Sequence, residues 1–140
     1  MTQEDPIEIV KNRTHLSDNI INEKIDGLKK NGLVENDKLS LTDLGRTSLR
    51  VILAGGVFDI IHPGHIHTLN AAKALGDVLV VVVATDNTAE KMKKRIPLHK
   101  QEQRRDLVKS LSMVDLCVIG KEGDIFKTVE VVKPEIIALG

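Results

Sequence analysis

The chain has 140 residues, in which 20 Lys+Arg balance 20 Asp+Glu; the length suits one ordinary domain or two small ones, and the neutral balance supplies no global field for nucleic acid or an anionic membrane. Only Phe58 and Phe126 are aromatic, which excludes the stacking platforms of most single-strand nucleic-acid readers, and the single cysteine, Cys117, excludes a disulfide framework and a cysteine-based zinc site. The 41% apolar content is enough for a core, the run VLVVVVA (78–84) is too short for a membrane span, and the acidic start MTQEDPIEIV, broken by Pro6, does not read as a signal peptide, so a reduced, cytoplasmic setting is expected.

Composition shifts near Arg50. Residues 1–50 carry 8 Lys/Arg against 9 Asp/Glu, and every strand-like run lies in 51–140. In the first part Ile20, Ile21, Ile25, Leu28 and Leu33 recur at helical spacing, with Ser17 as N-cap and Gly32 as the stop. LVENDKLSLTDLG places two short apolar runs around a polar turn at Glu35–Lys38, which predicts a small hairpin, and Thr42 or Asp43 opens a last short helix. Helix, hairpin and helix, with the GLV…LSLTDLG string, resemble the C-terminal part of a winged-helix domain. Residues 1–48 are therefore expected to form a small winged-helix-like α+β domain. Its charge balance disfavours DNA, which a local stripe of Arg13, Lys24, Lys29 and Lys30 would have to hold.

Residues 49–140 alternate strand and helix. RVILAGG (50–56) reads as a buried strand and Pro63–Leu75 as a helix with Ile66, Leu69, Ala72 and Leu75 on its apolar stripe. Val78–Ala84 is a strand with valines on both faces, as in a parallel sheet covered on both sides. Gln101–Leu111 predicts a helix, Leu116–Ile119 a strand, Asp124–Val132 a helix and Ile136–Leu139 a fourth strand. The fold class that follows is α/β, a Rossmann-like doubly wound parallel sheet. Cys117, in mid-strand, reads as a buried thiol.

Gly55 to His65 spells GGVFDIIHPGH: a strand ending in glycines, a short loop, then a helix opened near Pro63-Gly64. Ligands of open α/β sheets bind at the carboxyl ends of strands, beside helix N-termini whose free N–H groups attract anions. His62 and His65 bracket Pro63-Gly64 and should face one anion from the first helical turn. Two donors there suit an oligophosphate whose charge grows in a transition state. His67 lies elsewhere on the helix and reads as structural. The pair lacks a third ligand for zinc, and the string is not the G-x-G-x-x-G of dinucleotide-binding dehydrogenases.

GGVFDIIHPGH resembles the G-x-F-D-x-x-H-x-G-H signature of the cytidylyltransferase-like nucleotidyltransferases, and TAEKMKKRIPLHKQEQRRDLVKSL, VDLCVIG and KPEIIALG extend the resemblance over nearly all of 51–140. HPGH, EQRR and KPEIIALG together are most similar to archaeal-type FAD synthases. The resemblance implies transfer of AMP from ATP to the phosphate of FMN, with Mg2+ carried by the triphosphate and pyrophosphate released. CTP-dependent glycerol-3-phosphate cytidylyltransferases share the fold and remain the alternative. A nucleotide- or flavin-sensing winged-helix regulator is the alternative of another class, and a homodimer is allowed.

By the same resemblance, Val57, Phe58, His62, Pro63, Gly64 and His65 would bind the nucleotide, His62 and His65 being catalytic without a covalent intermediate. Asp59 would order the loop or the acceptor. Asp86 would serve the acceptor or a metal, or simply cap a helix near Glu90. Arg104 matches the phosphate-binding arginine, with Arg105 facing away. From Lys91 to Lys109 eight Lys/Arg oppose two Asp/Glu. Related sequences often carry a lysine beside Pro97, where Ile96 stands here, so Lys93, Lys94 and Arg95 are the candidate phosphate cations. Phe126 is the only aromatic left to stack a flavin. Family members continue past the IIALG strand into a fifth strand and a Ser/Thr-rich phosphate segment. The sheet domain is accordingly expected to be a shortened one, holding a triphosphate from one side.

Overall fold

The computed structural model describes residues 5–122 and 125–139, with the backbone alone at Ile125 and Phe126. The chain divides into two compact units, Met1–Ser48 and Leu49–Gly140. Among the described residues no helix is long and apolar enough to cross a membrane.

In the first unit, α1 (Pro6–Thr14) is a helix for which the sequence carries no buried residue as a signal. Proline is at home in the first turn, where its missing N–H has no partner to lose, and the Asp5 carboxylate accepts from Ile7 N at 3.0 Å. Helix α2 (Asp18–Lys30) is capped by Ser17 and ends where Gly32 turns to φ +73°. The expected hairpin is reduced to one antiparallel bridge, Val34 with Leu41, flanked by Glu35 N donating to Ser40 O at 2.9 Å and Thr42 N donating to Leu33 O at 3.1 Å. The polar stretch between offers no further alternating pair to extend a ladder. Helix α3 (Asp43–Thr47) starts on the Thr42 hydroxyl, which accepts from Gly45 N at 3.0 Å. Gly45 is buried so tightly that a Cβ there would fall 1.9 Å from Leu33 O.

The second unit is a parallel four-stranded sheet in the order β3-β2-β1-β4, built from β1 (Val51–Gly56), β2 (Val78–Val83), β3 (Leu116–Ile119) and β4 (Ile136–Ala138). Side chains alternate across it. Ile52, Ala54, Leu79, Val81, Val83 and Cys117 pack on one face with Leu69 and Ala72 of α4 (Pro63–Lys73) and Val108 of α6 (Gln101–Lys109). Val51, Leu53, Val80 and Val82 pack on the other face with Val129 and Val132 of α7 (Ile125–Val132). The sheet is thus wound on both sides, with no need for polar faces on its strands. Burial pushes the Cys117 thiol up to about 11, which leaves it an unreactive core group.

Helix α5 (Asp86–Lys93) was expected only through the alternative in which Asp86 caps a helix, since DNTAEKMK offers Ala89 alone as a buried residue. It forms because the Thr85 hydroxyl caps it, accepting from Thr88 N at 3.2 Å. Strands β1, β2 and β3 therefore all end at one edge, in Gly56, Val83 and Ile119, and the connections leaving that edge are the ones with chemical content.

Candidate functional site

The connection from β1 to α4 is built around two imidazoles. His62 is the N-cap residue of α4, and its Nδ1 accepts from Gly64 N at 3.1 Å; His65 Nδ1 in turn accepts from His62 N at 3.3 Å. The rings stack with centroids 3.9 Å apart. Gly64 makes this arrangement fit, for a Cβ there would stand 2.9 Å from His62 Cε1. A nitrogen that accepts carries no proton, so the geometry assigns both protons to Nε2 and leaves two N–H donors for a ligand. Burial first, then His62 and Lys93, lowers the His65 pKa below its usual value and keeps that ring neutral. Phe58 turns the chain at φ +53°, folds its ring back over Gly56, where a Cβ would meet it at 2.9 Å, and lies 5.3 Å from the His65 ring.

These groups line an open cleft of about 630 Å³ together with Val57, Thr68, Met92, Lys93 and Arg95. Asp59 positions its cationic wall. The carboxylate is buried and accepts from Leu98 N at 2.9 Å, His99 N at 3.0 Å and Arg95 Nη1 at 3.1 Å, while His99 Nδ1 lies 3.1 Å from Asp59 O. Burial opposes its ionisation, but the two backbone donors and the Arg95 guanidinium prevail and hold the carboxyl at about 2. Asp59 thus ties residues 95, 98 and 99 together. Lys93 and Arg95 face the cleft; Lys94, the left-handed residue ending α5, borders a separate depression with Asn87, Glu90 and Lys91.

Arg104 requires a correction. It was expected to meet phosphate, yet its side chain is fully buried and donates to His99 O (3.0 Å), Val57 O (2.8 Å), Ala84 O (2.8 Å) and the Asp86 carboxylate (2.7 Å). Arg104 lies on the core stripe of α6 with Val108 four residues on, so its charge is answered inside the protein. Asp86 is correspondingly the partner of Arg104, and its N–H donates to Gln101 Oε1 at 2.9 Å. It opens α5 at the first helical position, one residue after the Thr85 cap, which corrects the helix-cap alternative by one position. Arg105 pairs with Asp106 on the outer side of α6.

A second cleft of about 390 Å³ lies across Gly56 and Met92 from the first, along the ends of β1, β2 and β3. Thr85, Thr88, Lys91, Lys121 and Thr128 border it, and sequence reasoning noted only Lys91 among them, as the start of the basic segment. Thr85 carried one usable signal, a capping residue directly after a buried strand. The Phe126 side chain, the expected flavin stacker, lies outside the described residues. Among the described residues no group of three His, Cys, Asp or Glu is placed to hold a metal ion, and Asp59 and Asp86 are both committed to protein donors.

A parallel α/β sheet whose strand ends carry a helix N-terminus, two imidazole donors and flanking cations has the make-up of an anion-binding site. The chain belongs to the cytidylyltransferase-like family, whose profile matches residues 53–140. It is 56% identical over 89 residues to the FAD synthase of Picrophilus torridus, covering 64% of this chain and 63% of that protein. It is 52% identical over 89 residues to the FAD synthase of Aciduliprofundum boonei, covering 64% of this chain and 59% of the relative. Among solved structures, the lipopolysaccharide core biosynthesis protein from Thermoplasma volcanium GSS1 superposes with a TM-score of 0.61 at 49% identity, over 64% of this chain and 72% of that one. The match spans less than two thirds of those two curated relatives.

Proposed function

We propose that the second unit transfers AMP from ATP to FMN, yielding FAD and pyrophosphate. The observation that carries this reading is the pair of stacked imidazoles whose Nδ1 atoms are spent on the helix start, leaving Nε2–H donors beside Lys93 and Arg95. The family match and the FAD synthases among its relatives support the choice of acceptor. An oxygen of the FMN phosphate attacks the α-phosphorus of ATP, and a P–O–P bond forms as the bond from α-phosphorus to the β-bridging oxygen breaks. His62 and His65 donate to the oxygens on which charge accumulates, worth most in a water-poor cleft. Lys93 and Arg95 meet the pyrophosphate as it departs. Mg2+ enters with the triphosphate as part of the substrate.

Incubating the chain with radiolabelled ATP or CTP and with FMN or glycerol 3-phosphate tests the reading. Labelled FAD is expected; labelled CDP-glycerol, or no transfer to FMN, refutes it. In this reading residues 1–48 form a separate winged-helix-like module. Salt-dependent retardation of DNA by the chain, without FAD formation, would instead mark a regulator.

A further inference from the structure

We infer that Arg104 is a positioning residue that fixes the spacing of the three connections forming the site, and that it touches no substrate. Each of its backbone acceptors belongs to a different connection. Val57 O lies between β1 and α4, which carries the imidazoles; Ala84 O lies between β2 and α5, at the wall of the second cleft; His99 O lies between α5 and α6, downstream of Arg95. Asp86 answers the charge from the first turn of α5. A guanidinium suits this task because its planar fork reaches several acceptors in fixed directions, whereas an ammonium acts from one point.

The effect reaches the imidazoles through two short steps. The Val57 carbonyl that Arg104 holds precedes Phe58, the left-handed residue whose ring lies 5.3 Å from that of His65. Releasing that carbonyl frees the Phe58 turn, uncovers His65 and lets the imidazole wall drift from the Thr85 wall. Transfer between two bound substrates is sensitive to such spacing: a misplacement of about 1 Å costs on the order of 100-fold in rate. Ground-state binding to either wall is much less sensitive, since each wall keeps its own donors.

Arg104→Lys, which keeps the charge and one donor centre, is the principal test, and it rests on the FAD-forming reading for its kinetic arm. The folded variant is expected to lose kcat by about 100-fold while KM for ATP moves less than about threefold. A second readout needs no turnover. His65, titrated by NMR in the unliganded chain, should shift toward the ordinary histidine value in Arg104→Lys. Unchanged kcat, or a KM rise that accounts for the whole loss, would overturn the inference, the latter because it is the signature of a direct phosphate contact. If Arg104→Lys does not fold, Asp86→Asn decides: loosening the same fork should lower kcat by about tenfold at constant KM and move His65 in the same direction, and a variant with neither change overturns it. Should the wild type make no FAD, the proposed reaction fails alone, and the His65 titration still judges Arg104.

Discussion

Replacing Asp59 by Asn removes one charge and half the acceptor capacity from beneath residues 95–99. In the wild type Oδ1 accepts from His99 N, and Oδ2 accepts from both Leu98 N and Arg95 Nη1. An amide must turn its NH2 toward one of those donors, leaving a shielded N–H unanswered at about 1–3 kcal/mol. Proton linkage gives an independent figure. The carboxyl drops from 3.8 to about 2 in the fold, so its ionised form contributes on the order of 2 kcal/mol at neutral pH. Both figures describe the same contacts and are not additive. Arg95 is more than half exposed, so its share is screened, and the backbone donors supply most of the effect.

The sign is fixed by the direction of the shift. The folded value lies below the unfolded one, so the contribution is complete above about pH 4 and is lost as pH falls toward about 2. Urea unfolding of wild type and Asp59→Asn across that range is the assay. The variant should be less stable by about 2 kcal/mol at pH 7, and the gap should close on acidification. No gap at pH 7, or a gap unchanged at pH 2–3, refutes the anchoring role of Asp59.

Gly64→Ala should displace the His62 ring from its cap, costing about 1 kcal/mol in thermal unfolding and at least tenfold in FAD formation; wild-type values would show that the ring has room to move. His65→Ala should abolish measurable turnover in the labelled-ATP assay while the chain stays folded by circular dichroism. Because His65 is held below its ordinary value, its neutral form and its cap persist as pH falls through 6.5 and are lost only at the lower folded value. An NMR titration of His65 in the unliganded chain should accordingly have its midpoint below 6.5, and a midpoint above it contradicts the assigned tautomer. Gly45→Ala drives a Cβ into Leu33 O and should destabilise the first unit by about 3 kcal/mol, read as lost hydrogen-exchange protection of residues 17–47 in the full chain.

What the sequence disclosed follows from where local chemistry and tertiary context agree. Strand β3 was legible to the residue because LCVI is a short apolar run bounded by Asp115 and Gly120, although as an edge strand it buries only Cys117 fully. HPGH was legible because the cap, the proline at the first helical position and the glycine between the histidines are all local demands. Helix α5 was legible only as a cap signal, because apart from Ala89 and Met92 it is polar and its start rests on Thr85 and on the Gln101 side chain. Arg104 is the most instructive case. Read as charge, Arg104 and Arg105 are the same residue twice. Read as helix position, Arg104 shares a stripe with Val108 and Leu111, and an arginine on an apolar stripe has to find carbonyls inside the fold. The stripe was in the sequence and outweighs the resemblance from which a phosphate contact was expected. The cations that meet solvent in the cleft come instead from the end of α5 and the segment that follows it, where Lys93 and Arg95 are set against the imidazoles by a buried aspartate with no charge to spare for substrate. In the proposed reaction Asp59 and Arg104 hold that basic loop in register for the transfer step, so substitutions at these two buried residues should lower kcat more than the loss of any single exposed lysine.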